Sequence, residues 1–113
     1  MIEIKKTRKM GRGLFAAVDL PEDVIIEVSP AVVYKFSKKF HPTDRYTFEW
    51  SKTEVALALG LGSLFNHSVR PNVDWRNRGD NSTIEFFTIR PVKAGRQLFI
   101  DYGYDPLDWS DYD

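Results

Sequence analysis

Seven glycines and six prolines cut this 113-residue chain into runs that leave little room for helices. A glycine inside a helix costs about 1 kcal/mol and a proline about 3 kcal/mol, so the segments between them read mainly as short strands. Ile2-Glu3-Ile4 alternates in polarity, and residues 14–18 (Leu-Phe-Ala-Ala-Val) form a buried-strand pattern closed by Pro21. Residues 24–28 and 31–34 are two β-rich runs, with a break expected at Ser29-Pro30. Residues 46–50 (Tyr-Thr-Phe-Glu-Trp) alternate well. Val73-Asp74-Trp75 is short, and the polar residues 76–82 read as a hairpin loop leading into a strand over 83–89. Residues 91–95 form a turn into a last strand at 97–101. Helical signals are confined to a turn or two at 53–59, opposed by Gly60 and Gly62, and one turn within the polar connector 35–44. The expectation is a mainly β fold without βαβ alternation, which argues against a Rossmann-type cofactor site despite the Gly-x-Gly at 11–13.

The length fits one domain, residues 1–113, with a single core. Absence of cysteine excludes a disulfide framework, a Cys-based zinc site and a cysteine nucleophile. His41 and His67 are the only histidines, so no metal is expected, although a carboxylate site stays open. No apolar run approaches the ~20 residues of a membrane helix, and no secretory pattern follows the N-terminal charges. An intracellular protein off the membrane is expected. Sixteen cations balance sixteen anions, which gives no broad footprint for nucleic acid. The charges are nevertheless segregated: Lys5, Lys6, Arg8, Lys9 and Arg12 lie at one end, and Asp101, Asp105, Asp108, Asp111 and Asp113 at the other. The acidic end is either simply solvated or attracts a cationic protein.

Three short motifs occur in order. Lys9-Met10-Gly11-Arg12-Gly13-Leu14-Phe15-Ala16 comes first, then Asn66-His67-Ser68-Val69-Arg70-Pro71-Asn72, then Gln97-Leu98-Phe99-Ile100-Asp101-Tyr102-Gly103-Tyr104. Each is weak alone. Together they resemble the SET domain of protein-lysine methyltransferases, most closely the short viral and bacterial members without flanking segments. The resemblance implies small curved sheets in a β-clip, with a knot-like crossing near the C-terminus. It also implies S-adenosylmethionine as cofactor, and a basic protein, of which histone is the family's best-known example, as substrate. Two departures stand out: Gln97 replaces the usual acidic residue, and Val69 stands where many eukaryotic members carry a cysteine.

By this resemblance, Gly11, Arg12 and Gly13 belong to the loop that wraps the cofactor, with Arg12 or Lys9 near its carboxylate. Asn66 and His67 contact the cofactor through the Asn side chain and backbone groups, and His67 is assigned no proton transfer. Tyr102 faces the transferred methyl group, either orienting the amine or acting as a base. Tyr46 and Tyr104 are candidates for the lysine channel, and Trp109 either stacks on the adenine or covers the core. So small a domain is also expected to pair with a second copy. Two other functions fit the pattern less well: a non-catalytic SET-like module that binds protein or ligand, and an unrelated sugar- or nucleotide-binding β-clip.

Overall fold

Two curled, mainly antiparallel sheets are built from nine strands among the described residues, 1–35, 47–79 and 81–103, in a computed structural model of the chain. The first sheet has the order β1-β2-β9-β6 and contains β1 (Ile2–Lys6), β2 (Arg12–Ala16), β6 (Asn66–His67) and β9 (Gln97–Ile100). The second has the order β4-β5-β3-β8-β7. It contains β3 (Ile25–Lys35), β4 (Thr47–Glu49), β5 (Glu54–Ala58), β7 (Val73–Arg78) and β8 (Thr83–Thr88). Among the described residues, no helix is long and apolar enough to cross a membrane.

Strand alternation supplies the core. Ile84, Phe86 and Thr88 are the inward residues of β8, Leu98 and Ile100 those of β9, and Leu14 contributes from β2. The buried Thr88 hydroxyl is satisfied twice, donating to the Pro21 carbonyl (2.7 Å) and accepting from the Val24 N–H (2.9 Å).

Three local expectations change. Residues 24–28 and 31–34 are not separate runs, because β3 passes through Pro30 as one strand of 11 residues. It pairs with β8 as far as Pro30 and with β5 from Ala31 onward. Pro30 therefore sits where the strand changes partner, and its carbonyl accepts from the Leu59 N–H at 2.7 Å. Residues 54–58 are a strand and not a helical turn: Ala56 and Ala58 are buried, and small side chains allow the sheet to pack closely at that point. The polar residues 76–78 belong to β7, because Arg76 lies opposite Glu85 and its Nε donates to Oε1 at 2.7 Å, a stabilising cross-strand pair.

The second sheet curls until its two edge strands meet. Phe48 on β4 and Trp75 on β7 pack edge-to-face with ring centroids 4.9 Å apart. Asn77 Nδ2 donates across the same gap to the Glu49 carbonyl at 3.1 Å. The first sheet contains a parallel pair, β6 beside β9, which places Asn66 opposite Phe99 and His67 opposite Ile100. The chain then turns back over β9. Asn72 imitates a strand edge, its Nδ2 donating to the Gln97 carbonyl (2.9 Å) and its Oδ1 accepting from the Phe99 N–H (2.8 Å). The knot-like crossing expected near the C-terminus involves a stretch of which residues 104–113 lie outside the described residues.

Candidate functional site

The ends of β2, β6 and β9 bring the three motifs together in two clusters, one on each face of β6. The first contains Gly13, Asn66 and Gln97. Asn66 Nδ2 donates to Gln97 Oε1 at 2.8 Å and to the Arg12 carbonyl at 3.1 Å. With both amide hydrogens engaged, Asn66 offers a ligand only its Oδ1 acceptor. Gly13 leaves room for this arrangement: a Cβ there would lie 2.5 Å from Gln97 Oε1 and 2.8 Å from Asn66 Nδ2. Gly11 has a different task. At φ +70° it closes the β1–β2 turn, where its carbonyl accepts from the Thr7 hydroxyl at 2.7 Å. The two glycines of the motif thus serve conformation in one case and space in the other.

The second cluster surrounds Tyr102. Its hydroxyl donates to the Phe65 carbonyl at 2.6 Å, and its backbone N–H donates to His67 Nδ1 at 2.9 Å. The next amide, Gly103 N–H, donates to Asp101 Oδ1 at 2.8 Å. Tyr102 lines a cavity of about 240 Å³ walled by the aromatic rings of Phe48, Phe65 and Trp75. Two exposed carboxylate residues, Glu49 and Asp101, also line it. The aromatic walls and the phenol suit a chain with an apolar stem and a polar tip, and the two carboxylates attract one that carries a positive charge. Among the described residues, no group of His, Asp and Glu is placed to hold a metal ion.

Of the residues singled out in the sequence, Arg12, Gly13 and Asn66 converge on the first cluster, and His67 and Tyr102 on the second. Tyr46, Tyr104 and Trp109 lie outside the described residues. Sequence reasoning missed the contributions of Phe48 and Trp75 to the cavity. Alternation in their strands pointed both rings inward, but only the curl of the sheet brings them together.

Residues 11–103 match the SET domain family. Over 107 residues the chain is 38% identical to an H3 lysine-37-specific histone-lysine N-methyltransferase of Schizosaccharomyces pombe, covering 90% of this chain and 73% of that protein. It is 33% identical over 120 residues to an H3 lysine-36-specific histone-lysine N-methyltransferase of the same yeast. That match covers 92% of this chain, but the chain spans only 15% of the relative's length. A crystal structure of a Plasmodium falciparum protein, provisionally named a histone methyltransferase, superposes with a TM-score of 0.75 at 25% identity. That superposition covers 95% of this chain and 96% of the other. Family match, relatives and fold agree with the convergence of the three motifs on β6 and β9: the chain belongs to the SET domain family.

Proposed function

We propose that the protein is an S-adenosylmethionine-dependent protein-lysine N-methyltransferase that acts on a basic protein. The observation that carries the proposal is the Tyr102 cavity, in which a phenol anchored to Phe65 stands among aromatic walls. The names of the relatives point to histone H3 as the substrate to test first.

The first cluster fits the cofactor's headgroup. Asn66 Oδ1 is an acceptor for its ammonium, and Arg12 or Lys9 supplies a cation for its carboxylate. S-adenosylmethionine supplies an electrophilic methyl group on a sulfonium. The chain has to present a neutral lysine amine to that methyl group, in line with the bond that breaks. Free lysine has a pKa of about 10.4, and burial between aromatic walls lowers it because desolvation penalises the ammonium form. Glu49 and Asp101 draw the cation toward the cavity.

The Tyr102 hydroxyl gives its proton to the Phe65 carbonyl, so toward an amine it can act only as an acceptor. A phenol held in this way orients an amine N–H and leaves the nitrogen lone pair directed at the methyl group. This favours the orienting role over that of a base. Acceleration then comes mainly from alignment, a source capable of several orders of magnitude.

The test is incubation of the purified protein with isotopically labelled S-adenosylmethionine and recombinant histone H3, followed by peptide mass spectrometry. Label on a lysine ε-nitrogen supports the proposal. If no basic protein acquires label although the protein binds cofactor, the non-catalytic binding module replaces it.

A further inference from the structure

The Asn-His pair divides its work between the two faces of β6. Adjacent residues of a strand point to opposite faces. Asn66 is directed to Arg12 and Gln97, whereas His67 is directed to Tyr102. The His67 imidazole is 15% exposed, and its ring centroid lies 5.1 Å from that of Tyr102. β9 ends at Ile100, so the amides that follow it need acceptors from elsewhere. His67 Nδ1 accepts from the Tyr102 amide, and Asp101 Oδ1 accepts from the Gly103 amide.

A backbone N–H can only donate, so Nδ1 must present its lone pair and the ring proton must sit on Nε2. The 3.7 Å approach of Asp101 Oδ1 to Nδ1 is then a meeting of two acceptors and not an ion pair. Tyr102 is consequently held at two points by residues that flank Asn66. Phe65 takes its hydroxyl and His67 takes its amide.

We infer that His67 is a positioning residue for Tyr102: its neutral imidazole, accepting through Nδ1, sets the backbone from which the phenol reaches the cavity. The imidazole transfers no proton and its side chain makes no cofactor contact. The inference rests on the methyltransferase reading given above.

Three substitutions separate the position of the acceptor from bulk. His67→Asn places a carbonyl oxygen the same number of bonds from the backbone as Nδ1. His67→Gln moves that oxygen one bond further out, and His67→Leu retains volume without any acceptor. We expect His67→Leu to bind cofactor as wild type does, by calorimetry. Its rate at saturating cofactor and substrate should fall about tenfold, the equivalent of one net hydrogen bond. His67→Asn should regain most of that rate and His67→Gln should not. A folded His67→Leu at full rate overturns the inference. So does a loss confined to cofactor affinity. Should His67→Leu fail to fold, the Asn and Gln variants decide, and equal rates in the two overturn it.

The Tyr102 backbone amide resonance gives a readout independent of turnover. It should stay at its hydrogen-bonded shift in His67→Asn and move in His67→Gln and His67→Leu. An unmoved resonance in His67→Leu contradicts the inference even if turnover changes. A wild-type protein that methylates nothing counts against the proposed activity instead, and the amide shifts still test the bond.

Discussion

The Tyr102 hydroxyl and the Phe65 carbonyl are joined by a hydrogen bond of 2.6 Å that ties the end of the third motif to the residue just before the second. Phe65 is itself fixed: it is 2% exposed and stacks on Phe86 with centroids 4.7 Å apart. The phenol is thus anchored to the core of the second sheet, while its backbone continues a strand of the first. Any substitution that moves Phe65 should therefore reach the cavity.

Gly62 provides such a substitution. A Cβ there would lie 2.6 Å from Ser29 Oγ, 2.7 Å from Phe86 Cε2 and 2.8 Å from Ala58 Cβ. Ser29 cannot yield easily, since its hydroxyl donates to Glu27 Oε2 at 2.9 Å and accepts from the Gly62 N–H at 3.1 Å. Overpacking of this kind typically costs about 1–3 kcal/mol. We expect Gly62→Ala to lower the unfolding free energy by that amount, read as a lower urea midpoint with an unchanged slope of the transition. A midpoint equal to wild type would show that the turn at residues 60–62 adapts freely.

Gly13→Ala should act on the other cluster. Its methyl group would displace the ends of Asn66 and Gln97, which are side chains and can move. We expect a stable fold with cofactor affinity reduced by about tenfold or more, because the Asn66 acceptor is turned away from the ligand. Calorimetry with S-adenosylmethionine measures this directly. Normal affinity would mean that the Asn66 orientation is immaterial to binding.

Asn66 itself allows a sharper comparison. Asn66→Ala removes the ligand acceptor and should lose affinity while remaining folded. Asn66→Asp keeps an oxygen in place of Oδ1 but sets a second one against the Arg12 carbonyl, an acceptor that cannot turn. Loss of that pairing should cost about 1–3 kcal/mol of stability, visible as a lower melting temperature than that of Asn66→Ala. The reverse order of melting temperatures would contradict the donor assignment of Nδ2.

The strands were largely legible because their alternation is a local property of the chain: 83–88 and 97–100 lie within runs read as strands. What stayed hidden depends on distant partners. Pro30 looks like a break until β8 and β5 are seen to take turns beside it. Ala56 and Ala58 look helical until the core needs small residues there. The site divided in the same way. The motifs marked Gly13, Asn66, His67 and Tyr102 through resemblance, but nothing local shows that Asn66 and His67 face opposite sides. The use of Asn72 as a false strand edge, holding the returning chain over β9, was equally invisible.

Tyr102→Phe is the most direct test, because it retains the aromatic wall and removes the oxygen alone. Cofactor affinity and the single-turnover rate of methyl transfer to histone H3 should be measured on the same preparation. We expect near-normal affinity and a rate lower by about 10²-fold or more, the scale of a lost positioning group. A variant that binds cofactor normally and transfers methyl at the wild-type rate would contradict the assignment of the chemistry to the Tyr102 hydroxyl.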